Sequence, residues 1–291
     1  MKSGTKYIVH QVNRYFVRRG KMIKLIAIDV DGTLLNSKHE ISEMNKEWIK
    51  IATDKGAILV LASGRPLNGL FDVFNQLNLN PENHYLMAFN GAVVVKASDY
   101  SLIFERTLEL QLAKSILRHL EQFPVTPILS RKQELIVDDA NGYNVKGEAI
   151  ANQMELVVVD NLSDYLNYQP NKILVSADPS IIDQYRDAIQ GPFIESVDFV
   201  KSAPFYLEII VKDTNKGSSL EYLSNQLDIA QVEVMAIGDN YNDLSMIEYA
   251  GLGVAMGQAD DFIKSKSQYI TSSNDDNGVA KALQHVFTIK E

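Results

Sequence analysis

Cysteine is absent from the 291 residues, which excludes disulfides and a cysteine nucleophile and agrees with a cytoplasmic location. No apolar run approaches the roughly 20 residues that a membrane helix needs, so a membrane role is not expected. Basic residues are in the minority: 28 Lys plus Arg stand against 37 Asp plus Glu, a net charge of −9. Six of the basic ones (Lys2, Lys6, Arg14, Arg18, Arg19 and Lys21) crowd into residues 1–21, which contain no acid. The remainder therefore sets 22 basic residues against 37 acidic ones, a net charge of −15. A body that acidic lacks the footprint of a nucleic-acid-binding protein. If it takes an anionic ligand, a metal ion or a few local cations must neutralise the site. Residues 1–21 also lack the apolar stretch of a secretory signal. They read as a basic N-terminal extension, either a flexible one or residues upstream of a true start at Met22. Neither an internal repeat nor a low-complexity tract is visible.

What is present is an ordinary globular composition, 46% hydrophobic and 22% charged, in a chain long enough for two domains. Short apolar runs (Lys24–Val30, Ala57–Ala62, Tyr85–Phe89, Phe205–Val211, Val232–Ile237 and Gly251–Met256) alternate with helical patterns. Ile41, Met44, Trp48 and Ala52 recur at helical spacing, with Ser42 as N-cap and Gly56 as stop. Strands that are apolar throughout and joined by helices are covered on both faces. This predicts an α/β fold with a doubly wound, Rossmann-like parallel sheet. Ligands of such sheets bind beyond the carboxyl ends of the strands. Only 32 residues separate Asp31 from Ser63, one crossover, whereas 153 separate Ser63 from Lys216. That second gap holds a periodic helix (Leu108, Leu112, Ile116, Leu120), the strand-like "LIVDD" and "KILVSAD", and a helix near Pro179–Ile189. Residues 107–203 are therefore expected to form an inserted α+β cap domain, and residues 22–106 plus 204–291 the catalytic core.

Four polar stations follow apolar runs. "DVDGT" places Asp29 and Asp31 two apart, hence on one side of an extended chain. "LASGR" brings Ser63, Gly64 and Arg65; "TNKG" brings Lys216; "GDNYND" brings Asp239, Asn242 and Asp243. Each alone is an ordinary turn or helix cap. Together they belong at one edge of one sheet, where several aspartates would repel unless a divalent cation sat among them. Oxygen ligands without histidine favour Mg²⁺ over zinc. The five histidines (His10, His39, His84, His119, His285) form no ligand spacing.

The motifs "DVDGTLL", "LASGR", "NGA" at Asn90–Ala92, "NKG", "GDNYNDLSMIEYAGLGVAMG" and "DDNGVAKAL" resemble those of haloacid dehalogenase superfamily phosphatases. The likeness is to the Cof-type branch with a class IIB cap, and it runs from Met22 to the C-terminus. Val30 stands where the family more often has leucine. The resemblance implies that Asp29 is the nucleophile that becomes an aspartyl-phosphate and that Asp31 is the acid/base. It implies that Mg²⁺ is held by Asp29, the main-chain carbonyl of Asp31, and Asp239 with Asp243 in support. Ser63, Gly64, Lys216 and Asn242 would hold the phosphoryl oxygens. The expected substrate is a small phosphorylated metabolite, a sugar phosphate or a relative of one, and the expected state is a monomer or homodimer.

Physical chemistry agrees. A carboxylate does not attack a phosphate dianion unaided, and a cation beside both removes the repulsion. Donors preorganised around the equatorial oxygens stabilise the transferring group. Gly32 lets the chain turn so that Asp31 faces the incoming group. Arg65 and Asn90 lie near the same mouth, as structural residues or as substrate contacts. The cap would close over the site, and polar loop residues such as Arg131, Asn141 and Lys201 are candidates for specificity. A phosphomutase built on the same core remains an alternative reading, as does, more remotely, a phospho-aspartate switch without turnover.

Overall fold

The computed structural model describes residues 22–288; the basic extension expected at residues 1–21 lies outside them. Fourteen strands run along the described chain: β1 (Leu25–Asp29), β2 (Ile58–Ala62), β3 (Tyr85–Ala88), β4 (Val93–Lys96), β5 (Leu102–Glu105), β6 (Thr126–Arg131), β7 (Glu134–Val137), β8 (Glu155–Val158), β9 (Lys172–Ser176), β10 (Val197–Ala203), β11 (Tyr206–Val211), β12 (Val234–Gly238), β13 (Leu252–Ala255) and β14 (Tyr269–Ile270). They form an eight-stranded sheet in the order β14-β13-β12-β1-β2-β3-β4-β5 and a six-stranded sheet in the order β10-β11-β9-β6-β7-β8.

The larger sheet is parallel from β14 to β3 and antiparallel from β3 to β5. Its central strands are apolar throughout because both faces are covered. Leu25 and Ala27 pack with Val234, Ala236, Leu220 and Leu223 on one side. Ile26 and Ile28 pack with Ile237, Ile49, Ala52 and Leu283 on the other. The helix Glu43–Asp54 is capped as expected, Ser42 Oγ accepting from the Asn45 N–H at 3.2 Å. Its buried stripe is Asn45, Ile49 and Ala52; the polar Asn45 belongs there because its Oδ1 accepts the Ala280 N–H at 2.9 Å.

The chain winds outward from β1 through β2 to β3, then returns to β12 beside β1 and winds out the other way. The crevice between β1 and β12 is therefore the switch point at which such sheets bind ligands. Register aligns Asp29 with Ala62, and Ile28 with Ile237. Asp29, Ser63 and Asp239 consequently emerge at the same edge.

The smaller sheet is mostly antiparallel. The helices Leu110–Leu120 and Pro179–Gln190 cover one face, which buries Ile173, Val175, Leu207 and Ile209. One expectation is corrected here. A boundary at 203/204 assigns the run Phe205–Val211 to the core, but β11 pairs antiparallel with β9 and β10 in the cap sheet. An apolar run reports burial and not which sheet buries it, so the second crossing falls after Val211. Arg106 joins the two crossings: its Nη1 donates to the carbonyls of Asp213 at 3.0 Å and Lys212 at 3.4 Å.

Candidate active site

The floor of the site is a buried charge cluster. Asp29, the last residue of β1, is 4% exposed, while Lys216 and Asp243 are fully enclosed. Lys216 opens the helix Lys216–Gln226, whose cap Asn215 accepts the Ser218 N–H and whose Ser218 accepts the Asn215 N–H in return. That reciprocal cap fixes where the helix begins and so aims the lysine. Its ammonium donates to Asp29 Oδ1 at 2.5 Å and to Asp243 Oδ1 at 2.6 Å. The other oxygen of Asp243 accepts the N–H groups of Asp239 and Asn240, each at 3.0 Å. Asp243 thus ties the loop after β12 to the lysine.

Asp239 follows β12 and accepts from the Thr33 hydroxyl at 3.0 Å. Gly32, at φ +82°, supplies the room: a Cβ there would lie 2.6 Å from Asp239 Oδ2. The glycine serves both the turn and the approach of Asp239. Carboxyl oxygens of Asp29, Asp239 and Asp243 all lie within 4.8 Å of one another. Burial first, and then the neighbouring Asp243, push the Asp29 carboxyl well above its ordinary range. The same two causes push Asp239 up to about 6. Burial works against the charge on Lys216, but Asp243 and Asp29 outweigh it and hold its pKa above the ordinary value. One ammonium among three carboxylates leaves a charge deficit that a hard cation with oxygen ligands would fill. The residues present therefore fit a divalent metal.

At the rim, Asp31 departs from the crowding that its spacing suggests. Strand β1 ends at Asp29, the chain turns at Gly32, and the Asp31 carboxylate engages Arg65 instead. Arg65 Nε donates to Oδ2 at 2.8 Å and Nη2 to Oδ1 at 2.5 Å, a two-point clamp on a side chain that is 48% exposed. Ser63 is buried, and its hydroxyl accepts the Arg65 N–H at 3.1 Å. Asn90 sits in the left-handed region at φ 54°, buried. Its Oδ1 accepts from Asn242 Nδ2 at 3.0 Å and its Nδ2 donates to Glu208 Oε2 at 2.9 Å.

A cavity of about 310 Å³ lies between the two sheets, lined from the core by residues that include Asp29, Asp31, Ser63, Gly64, Arg65 and Asn242. The cap supplies the roof. Lys172 and Glu208, both buried, pair at 3.3 Å, and Lys172 Nζ also donates to the Gly64 carbonyl at 3.0 Å. Lys172, Leu174, Tyr206 and Glu208 share one face of β9 and β11 by register, and all four line the cavity. Of the sequence candidates, Asp29, Asp239, Asp243 and Lys216 meet in the floor. Asp31, Ser63, Gly64, Asn242 and Arg65 line the same cavity. Arg131, Asn141 and Lys201 do not: Arg131 lies over the Tyr168 ring, Asn141 accepts from Lys146, and Lys201 pairs with Asp183.

Sequence reasoning missed Lys172, Glu208, Glu148 and Tyr206. A signal existed for the first two: "KILVS" and "YLEII" each carry one charge inside a buried run, and such charges need partners.

Residues 26–283 match the haloacid dehalogenase-like hydrolase family. YxeH of Bacillus subtilis strain 168 is 34% identical over 277 residues, covering 92% of this chain and 100% of the relative. From the same organism, YcsE, a 5-amino-6-(5-phospho-D-ribitylamino)uracil phosphatase, is 30% identical over 271 residues, covering 90% of this chain and 95% of the relative. The crystal structure of a haloacid dehalogenase-like hydrolase from Bacteroides thetaiotaomicron superposes with a TM-score of 0.84 at 31% identity, covering 90% of this chain and 99% of that one. With its switch-point carboxylates, its inserted cap and these relatives, the chain belongs to the haloacid dehalogenase-like hydrolase family.

Proposed function

We propose that the protein is a Mg²⁺-dependent phosphatase that hydrolyses small phosphomonoesters, sugar phosphates or related metabolites, through a phosphoryl group carried on Asp29. The observation that carries this reading is the buried Lys216 ammonium held between Asp29 and Asp243, with Asp239 in the same cluster. Asp29 and Asp239 would hold the cation with their side chains and Asp31 with its main-chain carbonyl, and Asp243 would brace them. When bound, the cation supplies the positive charge that lets a carboxylate meet a phosphate dianion.

Asp29 attacks phosphorus and the bond to the ester oxygen breaks, while Asp31 gives that oxygen its proton. Asp31 then takes a proton from water as the water oxygen attacks phosphorus. The bond to Asp29 breaks and inorganic phosphate leaves. Ser63, the Gly64 N–H, Asn242 and Lys216 bind the equatorial oxygens. Arg65 keeps Asp31 at the cavity rim, and the cap excludes bulk water during the first step.

Three further observations support the substrate class and setting. The cavity is at the small end of metabolite sites. A relative at 30% identity is named for a phosphorylated ribityl compound. No helix among the described residues is long and apolar enough to cross a membrane, and cysteine is absent, in keeping with action on soluble metabolites in the cytoplasm.

The test is release of inorganic phosphate from an aryl phosphate, with Mg²⁺ or with EDTA, by the wild type and by Asp29→Asn. Turnover is expected with Mg²⁺ only, and the variant is expected to lose on the order of 10³-fold or more. Equal rates for Asp29→Asn and wild type, or full activity in EDTA, reject the proposal.

A further inference from the structure

Three of the carboxylates that line the cavity are each matched with a cation, and one on the roof is not. Asp29 pairs with Lys216 at 2.5 Å, Asp31 with Arg65 at 2.5 Å, and Glu208 with Lys172 at 3.3 Å. Glu148, on the cap helix Val145–Ala151, lines the same cavity and makes no ion pair among the described residues. The Arg65 guanidinium feels it only from beyond pairing distance and is already committed to Asp31.

The polar group beside Glu148 is neutral, the Tyr206 phenol. Asn144 Nδ2 donates to the Tyr206 hydroxyl at 2.9 Å, which leaves the phenol proton free to be given to the Glu148 carboxylate. Burial, and then Glu148 itself, keep that phenol protonated well above its ordinary range. The carboxylate therefore has a neutral neighbour and no ion pair among the described residues, and it lines the cavity together with Asp31 and Arg65. A phosphoester bound with its bridging oxygen at Asp31 would extend its leaving group into that space.

We propose that Glu148 determines which leaving groups the site accepts: it receives hydrogen bonds from a neutral polyhydroxylated chain and repels one that carries a second anion. This rests on the phosphatase reading above and adds the chemical class of the substrate. A carboxylate accepts two hydroxyl donors readily, and in a partly enclosed cavity an unmatched charge is poorly screened. Lys172 does not rescue a second anion, because it is already shared between Glu208 and the Gly64 carbonyl.

The experiment compares two open-chain six-carbon probes that differ at the far end, sorbitol 6-phosphate and 6-phosphogluconate. Both are assayed with the full chain and Mg²⁺ beside an aryl phosphate. The wild type is expected to favour the neutral probe by about 30-fold or more in kcat/KM, on the order expected of a nearby like charge. Glu148→Gln keeps size and shape and is expected to shrink that preference about tenfold, mainly by raising KM for sorbitol 6-phosphate and lowering it for 6-phosphogluconate. Tyr206→Phe, which frees the carboxylate without removing its charge, should weaken the polyol while keeping the discrimination against the anion. An unchanged ratio in Glu148→Gln, or a wild type that prefers 6-phosphogluconate, overturns the inference. So does hydrolysis of the aryl phosphate with neither six-carbon probe turned over. Failure to hydrolyse even the aryl phosphate overturns the phosphatase reading itself, and the inference with it.

Discussion

The floor and the roof of one cavity are built on opposite plans. The floor takes its side chains from the ends of parallel strands and the first turn of a helix, where register forces Asp29, Ser63 and Asp239 to one edge. The roof takes its side chains from one face of two antiparallel strands and from a short helix. The floor charges Asp29, Lys216 and Asp243 are buried and interlocked, while the roof mixes a buried pair, Lys172 with Glu208, and Glu148, which makes no ion pair among the described residues. A reacting centre tolerates little displacement and is anchored in the larger core, whereas a recognition surface can change by single substitutions on a face that the core does not need.

The largest effect is expected from Lys216→Met. It removes the only cation among the described residues that touches both Asp29 and Asp243, and leaves two buried carboxylates facing each other. Stranding buried charges costs about 3–5 kcal/mol. Turnover of an aryl phosphate is expected to fall by about 10³-fold, with a melting temperature many degrees lower in EDTA. A thermally unchanged, active variant would mean that the floor is not interlocked.

On the roof, Lys172→Met should act differently. It strands Glu208 at the seam, where the same carboxylate accepts from Asn90, itself bonded to Asn242. A loss of about tenfold in kcat/KM is expected, larger for a sugar phosphate than for an aryl phosphate, and Glu208→Gln in the same chain should recover part of it. An equal loss on both substrates would mean that the roof supports the chemistry and not recognition.

A smaller effect is expected from pH. Burial and Asp243 push Asp239 up to about 6, against 3.8 for the ordinary side chain. The folded protein therefore binds more protons than the unfolded chain between those values. Stability from this group is greatest at low pH and declines as pH rises through the window. In EDTA, Asp239→Asn should melt above the wild type at pH 7, by on the order of 2 kcal/mol, and match it near pH 4. Mg²⁺ should close the gap at pH 7 by stabilising only the wild type. Identical melting of the two proteins at pH 7 in EDTA would show that the floor bears no uncompensated charge.

How much of this was legible in the sequence follows the same division. Asp29, Ser63, Lys216 and Asp239 stand where an apolar run gives way to polar residues, and that junction is a linear signal. The alternation of strands and helices then fixes their common edge. The crossing after Val211 is not legible in the sequence because apolar runs look alike whichever sheet buries them. Lys172 and Glu208 are hard to find in the sequence because each is one charge in a greasy stretch, and their pairing spans 36 residues of sequence. Asp31 was placed beside Asp29 by the two-residue period of a strand, but the strand stops at Asp29 and Arg65 captures the second carboxylate. Glu148 and Tyr206 sit at unremarkable helix and strand positions, and only the folded cap brings them over the cavity.

The tie made by Arg106 across the two cap crossings has a mechanical consequence. Two independent connectors would allow the inserted unit to twist, tilt and slide. Connectors fastened to each other behave as one pivot, and reorientation of the cap is channelled into swinging about it. On such an arc Lys172, Glu208 and Glu148 would move over the carboxylates as one set.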